Sequence, residues 1–249
     1  MKACFRAMMM CFGMFCAIPC PYRGWDEDAR PLMTLFLPLV GAFIGALWTL
    51  AAFLLRFLGA PALIAGAVLC ALPFLLTGGI HADGFMDVVD AVRSCREPDE
   101  RRRILKDPHV GSFAVLFTVL LITAQFALFA AAKQNASVFG LLLIAVVSRS
   151  TAALSVTILR PLSESEYAGV YRRGVKKSHV FILLLPIAAS VACGFLLFGN
   201  TGLIPLAVIA GSAAATLRGR RSLGGMSGDI AGYALTVGEL CGAAAYALI

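Results

Sequence analysis

The sequence predicts an all-α, polytopic transmembrane helix bundle with about seven spans and an N-terminal interfacial or re-entrant segment. Of its 249 residues, 60% are hydrophobic and 14% are charged, whereas about a quarter of the residues are charged in an average soluble domain. The apolar residues form long runs, and a backbone in lipid must satisfy its hydrogen bonds internally, as helices do. We therefore expect a single membrane domain over residues 1–249.

Seven apolar runs approach the roughly 20 residues that a helix needs to cross a bilayer. The sixth run is the shortest and contains Pro205, so it is the weakest of the set. The expected spans cover residues 32–56, 60–79, 110–132, 137–159, 179–198, 202–217 and 230–249.

The first segment, from Cys4 to Cys20, has an apolar stretch between Arg6 and Pro19 that is too short for a normal span. We expect it to lie at the interface or to re-enter the membrane. A basic start followed by an apolar run also resembles a signal peptide. No small-residue cleavage site follows it, so we expect no cleavage.

The basic residues predict the orientation of the bundle. Only Arg56 and Lys133 fall in loops on one side, and Arg149 lies within a span. Of the 21 Lys and Arg, four precede Pro31, six lie between Arg93 and Lys106, five lie between Arg160 and Lys177, and three are Arg218, Arg220 and Arg221. The positive-inside rule then places the large loops in the cytoplasm. Basic residues separated by apolar spans form no continuous stripe, so we expect no nucleic-acid partner.

Three acids follow the second span at helical spacing. Asp83, Asp87 and Asp90 stand at positions i, i+4 and i+7, which places them within an arc of about 60° on one helix face. Phe85 and Val88 fall on the other side. Like charges on one face repel one another, so this arrangement normally requires a cation.

Carboxylate oxygens without Cys or His ligands favour a hard divalent ion, and Mg²⁺ fits best because it takes one or two carboxylates together with waters and phosphates. The alternative is a solvated face whose acids pair with Arg93, Arg96 and the cluster at residues 101–103. The eight cysteines contain no C-x-x-C pair, which favours packing roles.

His81 is a second candidate catalytic residue near the acids. On a regular helix it lies about 160° from Asp83, so it joins the site only if the helix begins later. Capping or interfacial packing is the alternative role of His81.

Three groups of residues suit the binding of phosphate. Arg102, Arg103 and Lys106 belong to a basic run that offers bidentate and point-charge donors, although topological anchoring explains such a run equally well. Placing the charge of Arg149 within an apolar span costs free energy unless the side chain is paired or faces water. Its expected partner is a phosphate or carboxylate, and the alternative is a structural pair with Glu239.

The third group precedes the last span, where Arg218, Arg220 and Arg221 lead into a glycine-rich turn with Gly224 and Gly225 and then Asp229. Backbone N–H groups at a helix start bind anions, and Asp229 adds a fourth carboxylate for a metal. Asp229 as a simple helix cap is the alternative.

Three blocks of the sequence resemble the signature blocks of the cobalamin synthase family, also called adenosylcobinamide-GDP ribazoletransferase. They are G-G-I-H-A-D-G-F-M-D-V-V-D at residues 78–90, L-K-D-x-x-V-G-S-F at 105–113 and G-G-M-S-G-D at 224–229. The N-terminal part, with Ile18-Pro19-Cys20-Pro21 and residues 36–45, is similar to the start of that family. Ala17, Ala91 and Ser227 depart from its usual residues.

The resemblance implies a Mg²⁺-dependent phosphotransferase of the bacterial cytoplasmic membrane, with its site on the cytoplasmic side. Its substrates would be adenosylcobinamide-GDP and α-ribazole or α-ribazole 5'-phosphate, and its products would be adenosylcobalamin or its phosphate and GMP. Under this hypothesis Asp83, Asp87, Asp90 and Asp229 hold the metal, and Asp83 alternatively accepts the hydroxyl proton. The sequence leaves open a homo-oligomer or an association with other corrin-assembly enzymes.

Three competing interpretations have different signatures. A CDP-alcohol phosphotransferase would show D-G-x-x-A-R followed by G-x-x-x-D-x-x-x-D, and this order is missing from the sequence. A transporter or channel would line a path across the bilayer with its charges, whereas the acids here gather on one side. A non-catalytic scaffold would not require the carboxylate face.

Overall fold

A computed structural model describes residues 2–20, 24–133, 135–162 and 176–249. Within these ranges the chain is helical, apart from loops and an isolated bridge between Pro161 and Met226. The predicted all-α bundle is therefore confirmed. Pro21 of the N-terminal block, and the basic residues Arg23, Arg172 and Arg173 that contributed to the predicted orientation, lie outside the described residues.

The described residues form ten α-helices and two short 3-10 helices, which we number along the chain. The 3-10 helices are Arg30–Phe36 and Gly199–Gly202. The α-helices are α1 Lys2–Phe15, α2 Leu37–Phe57, α3 Ala62–Thr77, α4 Ile80–Arg93, α5 Pro98–Ile104, α6 Ser112–Ala131, α7 Phe139–Ile158, α8 Lys177–Phe198, α9 Leu203–Leu223 and α10 Gly228–Leu248.

The seven predicted spans correspond to five or six apolar segments of the described chain. Five segments of the described chain are long and apolar enough to cross a membrane, and the pair α3 and α4 makes a sixth if it counts as one broken span. The difference arises partly because the short Gly199–Gly202 turn joins α8 and α9 into one 47-residue segment. That segment is about 70 Å long if straight, more than twice the roughly 30 Å hydrocarbon layer, so α8 and α9 are each long enough for a span.

Helix α1 is not among the spanning segments, as the sequence predicted for this region. It has 14 residues, about 21 Å, and it packs on the bundle through buried Ala7, Met10 and Cys11. An ion pair between Arg6 and Asp26 joins α1 to the chain that returns from it, at 2.6 Å. The N-terminal segment is therefore part of the folded core.

Small residues allow the spanning helices to pack closely. A Cβ atom on Gly41 of α2 would lie 2.6 Å from the Ala145 carbonyl oxygen of α7, and one on Gly45 would lie 2.9 Å from Leu142 Cα. Gly66 of α3 is in similar contact with Ala130 of α6. Close backbone approach at small residues is the usual basis of helix association in lipid, so these glycines determine which helices are neighbours.

The two ends of the bundle differ in charge. Arg56 donates to Tyr246 Oη at 2.9 Å, and Lys133 donates to the Leu248 carbonyl at 3.0 Å, so both lie near the C-terminal end of α10. Arg102 donates to the Leu223 carbonyl at 2.9 Å, just before α10 begins. The sequence predicted that Arg56 and Lys133 lie on the side of the bundle with few basic residues. That side is therefore opposite the end that carries α5.

Replacing Gly41 with Ala should destabilise the bundle by about 1–3 kcal/mol, because the new methyl group meets a backbone oxygen that cannot rotate away. The matched control is Gly13→Ala, where the nearest atom to a new Cβ is Cys20 Cβ at 4.0 Å. Thermal unfolding in detergent measures the difference. Equal melting temperatures for the two variants would contradict the assigned α2–α7 contact.

Candidate functional site

Helix α4 carries the three aspartates and begins at a sharp turn. Gly78 and Gly79 have φ angles of 64° and 81°, which glycine adopts without a steric penalty. These two residues turn the chain so that α4 makes an angle of 94° with α3. With three acids and Arg93 in 14 residues, α4 is too polar to cross a bilayer by itself, and we treat it as an interfacial helix.

The two faces of α4 differ as the sequence predicted. Phe85, Val88 and Val89 are buried, and they pack against α10, α6 and the end of α9. Asp83 is exposed, whereas Asp87 and Asp90 are half-buried. The apolar face therefore holds α4 on the bundle, and the carboxylates lie on the more exposed side of this helix.

Asp229 joins the three acids because α4 and α10 approach closely. A Cβ atom on Gly84 would lie 2.9 Å from the Asp229 carbonyl oxygen, and one on Gly232 would lie 3.2 Å from the His81 carbonyl oxygen. The two glycines thus allow backbone contact between the helices on either side of Asp83. Asp229 itself lies in the first turn of α10, where Ser227 Oγ caps the helix by accepting from the Ile230 N–H.

The four carboxylates influence one another electrostatically. Partial burial and, after it, the negative charges of Asp83, Asp229 and Asp90 together raise the pKa of Asp87 to about 6. Among the described residues none of these acids has an ion-pair partner. The alternative of pairing with nearby arginines is not observed, since Arg93 lies over the Phe117 ring and Arg96 pairs with Glu100.

Asp90 has a second neighbour that the sequence did not indicate. Its carboxylate lies against Gly111, where a side chain would overlap it, and its Oδ1 accepts from the Ala114 N–H at 3.4 Å. It therefore occupies the start of α6, where unpaired N–H groups attract an anion. In the sequence, the glycine of the V-G-S-F block at the helix start indicates that another group approaches the backbone there. The spacing of residues alone does not show that this group is Asp90.

The acids fit a hard cation by charge and by donor type. No group of three His, Cys, Asp or Glu side chains in the described chain already encloses a metal position. Mg²⁺ binds through one or two carboxylates and completes its shell with waters and substrate phosphates. The mutual repulsion of four carboxylates that have no ion-pair partner in the described part of the chain favours a bound cation.

The basic residues meet the glycine-rich turn at the other end of α4. Arg101 and Arg102 donate to the carbonyls of Ser222 and Leu223 at the end of α9. Gly224 has a φ of 94° and ends that helix, and a Cβ atom there would lie 3.2 Å from Arg102 Nη2. Arg102 and Gly224 are therefore neighbours, as a shared phosphate site requires.

Other members of the predicted phosphate set have different surroundings. Arg103 and Lys106 are exposed. The Gly224 N–H already donates to the Arg220 carbonyl, at 2.8 Å. Gly225 is buried against Pro161 and Leu162 so tightly that a side chain would overlap them. The Met226 N–H next to it donates to the Arg160 carbonyl at 2.8 Å, so this part of the turn is anchored to the end of α7.

Arg149 and His81 lie inside the bundle behind the carboxylate face. Arg149 of α7 forms an ion pair with Glu239 of α10 and donates to Ser148 Oγ at 3.0 Å. This is the structural partner that the sequence left as an alternative. His81 is buried, and its ring stacks on Phe15 at 5.8 Å between centroids. Neither side chain shares the face of Asp83, and their predicted roles toward substrate stay predictions.

The chain is similar to one protein family over nearly its whole length. A family model described as cobalamin-5-phosphate synthase matches residues 7–247. An adenosylcobinamide-GDP ribazoletransferase of Clostridium botulinum (strain Alaska E43) is 33% identical over 244 residues, which cover 97% of each protein. The protein of the same name from Clostridium perfringens (strain 13) is 35% identical with the same coverage. A relative of that name from Stutzerimonas stutzeri is 33% identical over 90% of this chain and 87% of its own. No solved structure matches.

Replacing Glu239 with Leu should destabilise the fold by about 3–5 kcal/mol, because it leaves the buried Arg149 guanidinium without an anion. The double variant Arg149→Met/Glu239→Leu should recover most of that loss, since it removes both charges. The free energies of unfolding of the parent, the single variant and the double variant are compared in mild detergent. A double variant no more stable than Glu239→Leu would contradict the pairing.

Proposed function

We infer that this chain, which belongs to the cobalamin-5-phosphate synthase family, transfers the phosphocobinamide group of adenosylcobinamide-GDP to α-ribazole or its 5'-phosphate. The products would be adenosylcobalamin or its 5'-phosphate and GMP. The observation that carries the proposal is a set of four carboxylates that have no ionic partner among the described residues, contributed by α4 and α10 at one end of a membrane bundle. The family match and the relatives' names support the choice of substrates.

We propose Mg²⁺ as the cofactor, with Asp83, Asp87 and Asp229 as its candidate ligands, of which one or two would bind the ion directly, and with Asp90 at the border of the site. The Asp90 carboxylate accepts a hydrogen bond at the N-terminus of α6, and this contact would help to orient α4, which carries Asp83 and Asp87. The chemistry that such an ion would supply when bound to these carboxylates is stabilisation of the negative charge that develops on the leaving GMP.

In the proposed reaction the 3'-hydroxyl oxygen of α-ribazole attacks the phosphorus that is bonded to cobinamide. The new P–O bond forms as the P–O bond to GMP breaks, and the hydroxyl proton leaves the nucleophile. Asp83 is the candidate acceptor for this proton, because it is the exposed acid of α4 and a carboxylate can act as a general base within hydrogen-bond reach.

Charge on the departing GMP requires cationic groups near the acids. Arg102, Arg103 and Lys106 are the candidates, since α5 lies next to the turn that precedes Asp229. Arg102 also forms an ion pair with Asp99 at 3.1 Å, so it would exchange this exposed partner for a phosphate. Donors placed where negative charge develops usually contribute the largest single part of catalysis.

We also propose that the protein lies in a bacterial cytoplasmic membrane with the carboxylates on the cytoplasmic side. Supporting this, the basic α5 and the end of α9 flank the site, and basic loops generally stay in the cytoplasm. Both hydrophilic substrates would then reach the site without crossing the bilayer.

The test incubates the purified protein in lipid with adenosylcobinamide-GDP, α-ribazole and Mg²⁺ and measures GMP and cobalamin together. Replacing Asp83 with Ala or Asp87 with Asn should lower turnover by about 100-fold or more, because the charge-stabilising cluster loses a carboxylate. Chelation of Mg²⁺ should abolish product formation. The control Glu100→Gln removes an exposed acid that pairs with Arg96 and should leave turnover unchanged. Normal turnover in Asp83→Ala and Asp87→Asn would refute the site.

Replacing Gly84 with Ala should lower turnover by about tenfold or more, since small displacements of catalytic groups are costly. The new Cβ meets the Asp229 backbone and separates the two helices that carry the acids. The control is Gly228→Ala, also close to Asp229, where nothing lies within 4 Å of a new Cβ. Equal rates for the two alanine variants, measured with the same assay, would show that the contact does not set the geometry of the site.

A further inference from the structure

A cavity of about 90 Å³ lies where α4, α6, α9 and α10 meet. All the residues that line it belong to these four helices, and they are apolar apart from two arginines and a tyrosine. The volume is well below the roughly 300–1,000 Å³ of a pocket that encloses a small molecule, so the cavity can receive only one end of a longer molecule. Its wall includes Phe85, Arg93, Phe117, Arg218, Tyr233 and Val237.

The two guanidinium groups at this cavity have no anionic partner among the described residues. Arg93 lies over the Phe117 ring, 4.4 Å from its centroid, and this contact positions the guanidinium without neutralising its charge. Arg218 forms no ion pair within the described chain. Both charges act electrostatically on the Tyr233 hydroxyl, so the two cations lie near the same point. Neighbouring like charges favour the binding of an opposite charge, and a tyrosine hydroxyl can donate to it.

The cavity lies at the level of the membrane surface. Arg218 is the first charged residue after the apolar run of α9, and such a basic residue is typical of the edge of the hydrocarbon layer. Arg218, Tyr233 and Phe117 each lie five residues from the end of their helix at this end of the bundle, which is about 7.5 Å. The interfacial helix α4 adds Arg93 from its last turn. The two cations are therefore at the depth of lipid headgroups.

An apolar stripe on α10 leads from the cavity toward the middle of the bilayer. Its four side chains are half-buried, and their spacing of i, i+4, i+7 and i+11 places them within an arc of about 60° over roughly 16 Å. One leaflet of a 30 Å hydrocarbon layer is about 15 Å thick. On the neighbouring α9, the exposed residues Ala214 and Ala210 lie one and two turns from Arg218 and leave room beside the stripe. The stripe consists of Tyr233, Val237, Leu240 and Ala244.

We propose that this face binds one anionic phospholipid, with its phosphate between Arg93 and Arg218 and one acyl chain along the α10 stripe. Charge complementarity identifies the occupant, because two cations at headgroup depth above an apolar surface match an anionic head with a long apolar tail. A zwitterionic lipid brings its own cation, which the arginines repel. The bound lipid connects α4 to α9 and α10 and holds the interfacial helix on the bundle.

The test uses the full-length protein in neutral detergent with dioleoylphosphatidylglycerol or dioleoylphosphatidylcholine. Native mass spectrometry counts the bound lipids and the chains, and thermal unfolding measures stabilisation. Phosphatidylglycerol should bind saturably as one lipid per chain, at least about fivefold more tightly than phosphatidylcholine, and should raise the melting temperature. Arg218→Gln should weaken this binding by about fivefold, since a basic residue at an anionic surface contributes about that factor. The control Arg220→Gln, an exposed arginine of the same helix, should bind lipid like the parent protein.

Filling the groove tests the place of the acyl chain without changing the charge. Ala214→Phe projects into the space beside the stripe and should weaken phosphatidylglycerol binding by about tenfold. The matched control is Ala213→Phe, which is also exposed but is rotated by about 100° around α9, and it should leave the affinity within about twofold of the parent. Glycerol 1-phosphate, which has the phosphate without the chains, should not raise the melting temperature at the same concentration.

Each outcome supports or overturns the assignment, and none depends on turnover. Equal lipid affinities for Arg218→Gln and Arg220→Gln would show a response to general basic charge and would overturn the site. Stabilisation by glycerol 1-phosphate equal to that by phosphatidylglycerol would assign the cavity to a soluble phosphate instead. A dimer lost in Ala214→Phe and kept in Ala213→Phe would assign the face to a second copy of this chain. If Arg218→Gln does not fold, Arg93→Gln on α4 provides the same comparison.

Discussion

The backbone contact between α4 and α10 at Gly84 and Gly232 is the constraint on which the site depends. Three of the acids belong to a 14-residue amphipathic helix, and the fourth belongs to a spanning helix far away in the sequence. Only the absence of side chains at the crossing point lets these helices approach closely enough for their carboxylates to interact. The resulting repulsion raises the electrostatic energy of the protein without metal, which is the condition for strong binding of a cation.

The position of α10 is itself determined by a series of close contacts. Gly238 packs on Ser212 of α9, and Gly242 approaches Ile144 of α7. The buried pair of Arg149 and Glu239 joins α7 to α10 in the same region, and the two helices are the most buried of the spanning segments. Because a buried charge is tolerated only with its partner in place, this pair also fixes the rotation of α10 that presents Asp229 to α4.

Much of the carboxylate face was predictable because helix periodicity is local. The spacing of Asp83, Asp87 and Asp90 needs no tertiary information, and Asp229 was recognised from its place after a glycine-rich turn at a helix start. The contact of Asp90 with Gly111 was not predictable, since it depends on how α6 is placed against α4. The sequence also did not decide whether Arg149 pairs with Glu239, because the two residues lie in different spans and their contact depends on how these spans pack. The short turn between α8 and α9 was not predictable, since hydropathy along the sequence does not show that it joins two apolar helices into one segment.

The length of α3 has a consequence for the lipid around the site. Its 16 residues extend about 24 Å, less than the roughly 30 Å of a bilayer hydrocarbon layer. A short span is accommodated by local thinning of the bilayer or by neighbouring polar groups that reach the headgroups. The membrane beside α3 should therefore be indented at the end that leads into α4. Such a depression would let water and large hydrophilic molecules approach Asp83 at a depth that lipid occupies elsewhere around the protein.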